Sequence, residues 1–192
     1  VDSQPPAVLL APGLESLSDG TLEALAGYVR GGGVLIADGP PGWKDPVGRI
    51  ASARFDLWRD LFGGGLLDVE SWRESEALPG DDASPAGWWL KVVSEPENVE
   101  VHHTWPDGAP MVWSHRCGEG TAVMLGTWFF HRFLLAAAPG TRAWFAETFA
   151  GLLPVPSVRL TDPGPERRLR CLRHPDGMLC VVISEAGDAA VS

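Results

Sequence analysis

The alternation of apolar and polar positions over residues 7–40 spells one strand–helix–strand unit. Residues 7–12 are a short apolar run ending in Pro12-Gly13, which predicts a central strand. Ser16 and Ser18 both offer helix N-caps, and Asp19 and Glu23 place negative charge at the helix's positive end. Leu22, Leu25, Ala26 and Val29 then recur at i, i+3, i+4 and i+7, a single apolar stripe. Arg30 stands in the last turn, Gly31-Gly32-Gly33 ends the helix, and residues 34–37 form the next strand. Such a crossover implies parallel strands with helices packed on the sheet. In enzymes built this way, the turn leaving a strand's carboxyl end commonly presents the reactive group. Here that turn is Asp38-Gly39-Pro40-Pro41-Gly42, with neither Cys nor Ser in it. The nucleophile position reads as vacant.

Beyond it, residues 38–48 are rich in Pro and Gly and predict an irregular loop. A second helix is expected over 53–62, with Phe55, Trp58 and Phe62 on one face and Gly63-Gly64-Gly65 closing it. From 71 to 86 the pattern dissolves into charge, Pro and Gly, the mark of a surface excursion. Strand character returns at 88–94, 99–105, 109–116 and 121–126, which together predict an antiparallel meander. The last of these is apolar enough to be buried on both faces. A helix is expected over 141–153. Pro154-Val155-Pro156 marks a boundary between a domain over 1–153 and a segment over 157–192, in which 168–173 and 178–184 form a hairpin.

Composition narrows the function classes. Of 192 residues, 45% are hydrophobic and 21% charged, ordinary for a globular domain. Fifteen basic residues against twenty-five acidic give −10, which argues against a nucleic-acid backbone as partner. The one basic cluster, Arg167, Arg168, Arg170 and Arg173, alternates with apolar residues as a strand's solvent face does. No apolar run approaches the roughly 20 residues that a membrane-spanning helix needs. The chain begins at Val1 without Met, so a processed, trimmed or excised N-terminus is expected, and no compartment follows, the cytoplasm being slightly favoured. Three cysteines, Cys117, Cys171 and Cys180, show no CxxC spacing. Cys171 and Cys180 flank a Pro-Asp-Gly turn in what reads as a hairpin, which would set them near each other; two reduced, half-buried thiols are the plainer reading.

Two stretches carry a family likeness. The run LLAPGLESLSDGTLEALAGYVRGGGVLIADG resembles the trimerisation domain of bacterial β-galactosidases, a degenerate relative of the class I glutamine amidotransferases. The stretch DGAPMVWSHRCGEGTAVMLGTWF looks like that domain's later hairpin, and RRLRCLRHPDGMLCVVIS is similar to the start of the small β-domain next to it in those glycosidases. Most of the chain is covered, residues 71–86 excepted. The resemblance implies an α/β fold with a flavodoxin-like, mostly parallel sheet, helices on both faces, and added antiparallel hairpins. It also aligns Asp38 and Gly39 with the amidotransferase nucleophile elbow. Asp cannot form the thioester of amide hydrolysis, so that chemistry does not carry over. The catalytic glutamates of β-galactosidases lie on a barrel that nothing here resembles, so no catalytic residue transfers. The family loop after the second strand tends to carry Asp-Glu, whereas this chain has Trp43-Lys44-Asp45. The family domain also has a strand and helix preceding the position of Val1, which suggests a fragment of a larger polypeptide. The resemblance therefore implies a non-catalytic accessory domain of a glycoside hydrolase. Its partners would be further copies, a trimer by resemblance, or other domains of the same polypeptide, and no cofactor is called for.

Other constellations compete. Nine tryptophans are many, and sugar rings stack on indoles, so Trp43 and Trp72 in loop-like stretches are candidates for carbohydrate contact. Trp58, Trp113 and Trp144 read as packing. His102, His103, His115 and Cys117 suggest a metal site, yet lack the tight ligand pairs of structural zinc, and the reading assigns no metal. A Cys117 nucleophile with His115 as base would make a small amidotransferase-like hydrolase, but a Cys-Gly-Glu-Gly hairpin turn supplies no helix dipole to activate the thiol. Asp38, Asp45 and Asp68 read as separate loop carboxylates.

Overall fold

The computed structural model describes residues 7–52, 55–72, 89–130, 139–153, 167–174 and 177–184. The chain divides into two compact units, Val1–Pro154 and Val155–Ser192. Five strands of the first unit share one sheet: β1 (Val8–Ala11), β2 (Val34–Asp38), β5 (Val99–Thr104), β6 (Pro110–Cys117) and β7 (Gly120–Leu125). Their order across it is β1-β2-β7-β6-β5. β1 and β2 pair in parallel from Val8↔Val34 to Ala11↔Ala37, and β2 pairs in parallel with β7 from Val34↔Thr121 to Asp38↔Leu125. β6 pairs antiparallel with both β7 and β5. The fold is α/β, but the sheet is mixed: half of its pairings are antiparallel, where a mostly parallel sheet was expected. The tight Pro106–Gly108 and Gly118–Glu119 turns enforce that reversal, since parallel neighbours need long crossovers.

The period-2 rule of a strand sorts the core into two layers. Leu35, Ala37, Trp113, Ala122 and Met124 pack with Ala26 and Val29 of α1 (Asp19–Arg30) and with Trp58, Leu61 and Phe62 of α2 (Phe55–Phe62). Ile36, Val112, Val123 and Leu125 pack on the other side with Phe129, Phe130, Phe145 and Phe149. Phe145 belongs to α3 (Pro139–Thr148), so helices cover both faces and β7 is buried along its whole length. Ser18, not Ser16, caps α1, its hydroxyl accepting from Thr21 N at 3.1 Å. Gly120 is needed where it stands, because a Cβ there would collide with the carbonyls of Val29 and Gly33.

Three expectations need correction. β3 (Leu66–Trp72) was not foreseen, and it pairs antiparallel with β4 (Trp89–Ser94) as a separate ribbon. The four-strand meander is therefore three strands, β5–β6–β7. α3 starts at Pro139 and ends at Thr148, short of Leu153. Most of the 71–86 excursion lies outside the described residues. In the second unit, β8 (Arg167–His174) and β9 (Gly177–Ser184) form the hairpin expected there.

Candidate functional site

The carboxyl ends of the parallel strands bring together Asp38, Gly39 and the Trp43-Lys44-Asp45 loop singled out from sequence. Asp38 closes β2 and is only 2% exposed. Its Oδ1 accepts from Gly13 N at 2.6 Å and its Oδ2 from Phe130 N at 2.7 Å. The carboxylate thus ties the loop after β1 to the segment after β7. Gly39 comes next in a left-handed conformation, φ 61°, and its N–H donates to the carbonyls of Leu125 and Thr127, each at 3.0 Å. A Cβ on Gly39 would lie 3.3 Å from Cδ1 of Trp128, so the indole packs directly over this glycine.

Trp128 in turn donates from Nε1 to Glu15 Oε1 at 3.1 Å. The other oxygen of Glu15 accepts from Lys44 Nζ at 2.7 Å, and that ammonium sits 4.3 Å from the centroid of the Trp43 ring. Backbone bonds fix the same corner: Lys44 N donates to Glu15 O and Leu17 N to Lys44 O. Lys44 also makes an isolated antiparallel bridge to Ile50, which gathers residues 43–51 of an otherwise irregular loop into a small pinned ribbon. Asp45 shapes its tip, its Oδ1 accepting from Val47 N at 3.0 Å and Arg49 N at 2.8 Å. Val47 and Ile50 stand out from that tip, 74% and 65% exposed.

A family-model match over most of the chain decides the family. The chain belongs to the β-galactosidase trimerisation domain family. The family's model matches residues 4–139. Among solved structures, Gan42B, a GH42 β-galactosidase from G. stearothermophilus, superposes with a TM-score of 0.64 at 18% identity, over 88% of this chain and 25% of that one. The β-galactosidase of the Antarctic haloarchaeon Halorubrum lacusprofundi gives 0.59 at 21% identity, over 85% and 24%. That of Bacillus circulans sp. alkalophilus gives 0.56 at 16%, over 85% and 25%. Identities this low speak to the fold, and the chain spans about a quarter of these relatives' length. No curated protein matches it.

Within this trimerisation domain the other candidates disperse. Trp43 is half-buried, its Nε1 is buried and its ring packs against the α1–α2 side of the core, so it offers little free face to a sugar. The side chain of Trp72 lies outside the described residues. Trp58 and Trp113 are core, the latter donating to Phe62 O at 2.8 Å. His115 points toward α2, its Nδ1 3.2 Å from the Leu61 carbonyl, which makes that nitrogen the donor. His102 and His103 instead lie edge-on to Phe149 and Trp144 on the α3 side. The register pairs His103 with Val112 and His115 with Val99, so the histidines do not converge. Among the described residues no group of His, Cys, Asp or Glu is arranged to hold a metal ion. Cys117 is buried in the core, and among the described residues no hydrogen bond joins it to His115. Asp45 and Asp68 each serve nearby backbone amides. Glu15 and Trp128 escaped the sequence reading: their bond spans 113 positions, and no local pattern announces it.

Proposed function

We propose that this chain is a non-catalytic accessory domain of a β-galactosidase-type glycoside hydrolase, and that it holds subunits together. The observation that carries the reading is the state of the strand-end turn. Where a hydrolase of this build would display a nucleophile, a buried carboxylate has both oxygens committed to backbone amides and an indole lies over the next residue. Such a turn holds loops in place and has nothing to attack with. The three parallel strands with helices on both faces are then what remains of a flavodoxin-like sheet. Residues 1–153 form the association domain, and 157–192 open a further β-domain.

The ribbon over residues 43–51 supports subunit contact in particular. It is held at its base by Lys44 and Glu15, preorganised at its tip by Asp45, and displays two aliphatic side chains to solvent. Preorganisation lowers the ordering cost of association. The contact we expect is with a second copy of the chain, in the three-fold assembly that the family's description implies. A sugar-binding role for Trp43 has less support, since its ring is taken up by the core and by Lys44.

The test is sedimentation velocity on the polypeptide that carries this chain, with Val47→Asp and Ile50→Asp combined. Burying a Val and an Ile contributes about 1.5–3 kcal/mol each. Their loss should weaken association by roughly a hundredfold or more. Unaltered association at every concentration would remove the ribbon from the interface.

A further inference from the structure

The second unit carries a feature that the association reading leaves unused. The β8–β9 ladder runs through eight consecutive pairs, Arg167↔Ser184 to His174↔Gly177, with no register shift. Cys171 stands directly opposite Cys180 in it. We propose that these two cysteines form a cross-strand disulfide when the chain meets a low-molecular-weight disulfide such as oxidised glutathione.

The ladder itself fixes which kind of pair this is. Only two positions separate His174 from Gly177, so that closing pair must exchange both of its backbone hydrogen bonds. Bonded and non-bonded pairs alternate along an antiparallel ladder. Arg173↔Met178 is then non-bonded, Leu172↔Leu179 bonded, and Cys171↔Cys180 non-bonded. Non-bonded pairs bring their Cα atoms to about 4.5 Å, inside the roughly 4.4–6.8 Å that a disulfide spans. A shift of one residue in either strand would put the two cysteines on opposite faces. The third cysteine, Cys117, is buried in the core of the first unit, 7% exposed, and is no competitor.

The electron balance is that of thiol–disulfide exchange. One cysteine thiolate attacks the glutathione disulfide, forming a mixed disulfide and expelling one glutathione thiolate. The facing cysteine, as thiolate, attacks the protein sulfur of that bond, forming Cys171–Cys180 and expelling the second glutathione. Two protein thiols lose two electrons and two protons in all, and the oxidant becomes two thiols. A two-stranded hairpin is marginal by itself in water, and a cross-strand bond constrains its unfolded ensemble.

The test uses the full chain equilibrated with glutathione disulfide, alkylated under denaturing conditions and digested with trypsin. Cleavage after Arg170 and after Arg173 puts Cys171 and Cys180 in different peptides. The expected result is a fall from three alkylatable thiols to one, at Cys117, with the Cys171–Arg173 tripeptide linked to the peptide starting at His174. Cys180→Ser should instead stop at one glutathione on Cys171. Wild-type protein that keeps three thiols, takes up a glutathione on each cysteine, or links its chains to one another overturns the proposal.

Discussion

Replacing Asp38 by Ala removes the carboxylate that joins the loop after β1 to the segment after β7. Two hydrogen bonds donated by backbone amides are lost, from Gly13 N at 2.6 Å and from Phe130 N at 2.7 Å. Bonds to a charged group contribute about 1.5–3 kcal/mol each, so the pair accounts for roughly 3–6 kcal/mol. Relief from keeping a charge buried offsets part of that, because a carboxylate at 2% exposure has given up its water. The net loss should be about 3 kcal/mol, or roughly 6–12 °C in Tm for a chain of this size. Asp38→Asn keeps the volume but can offer an acceptor to only one amide, and should cost about 2 kcal/mol. Urea unfolding followed by tryptophan fluorescence measures the loss. Native-state hydrogen exchange adds the local readout: the Gly13 and Phe130 amides should lose protection in the Ala variant, while those of α1 keep theirs relative to global stability. Variants within about 0.5 kcal/mol of wild type, with both amides still protected, would refute the clamp.

Acid should weaken the first unit through its histidines. Burial holds His102 and His103 below the ordinary imidazole value, and the Glu100 carboxylate only partly restores His102. The unfolded chain therefore binds protons first as pH falls. Stability contributed by the neutral rings is full above about pH 6.5 and is lost as the pH drops through the depressed folded values. Urea midpoints at successive pH values check the direction, and His102→Gln should flatten the slope. Glycine substitutions should split by position. Gly20 and Gly27 lie in α1 with open space where a Cβ would go, so Ala at either should stabilise by about 0.5–1 kcal/mol in thermal melts. Gly120→Ala forces a methyl group into the Val29 and Gly33 carbonyls and should prevent folding or cost several kcal/mol, read by circular dichroism.

What could be read from sequence was local. The β1–α1–β2 unit announced itself because caps, stripe and strand runs all sit within thirty residues and agree. Ser16 and Ser18 were equal as caps on paper. The tertiary bridge between Ser16 and Lys44 left Ser18 to cap the helix. β3 stayed hidden because a register shift between Leu66 and Asp68 breaks its alternation, just after three glycines that read as a stop. The partner of β4 was misread for a different reason: adjacency in sequence favours the next strand, while the ladder joins it to the preceding one. At the site, the Asp38-Gly39 turn and the Trp43–Asp45 loop were visible as composition. Their linkage through Glu15 and Trp128 was not, since it depends on contacts across most of the first unit.

Sedimentation equilibrium on the wild-type polypeptide that carries this chain, over a hundredfold range of concentration, puts the association role to the test most directly. The account predicts a mass of three copies that persists on dilution until a single dissociation transition. A mass of one copy throughout that range would contradict it.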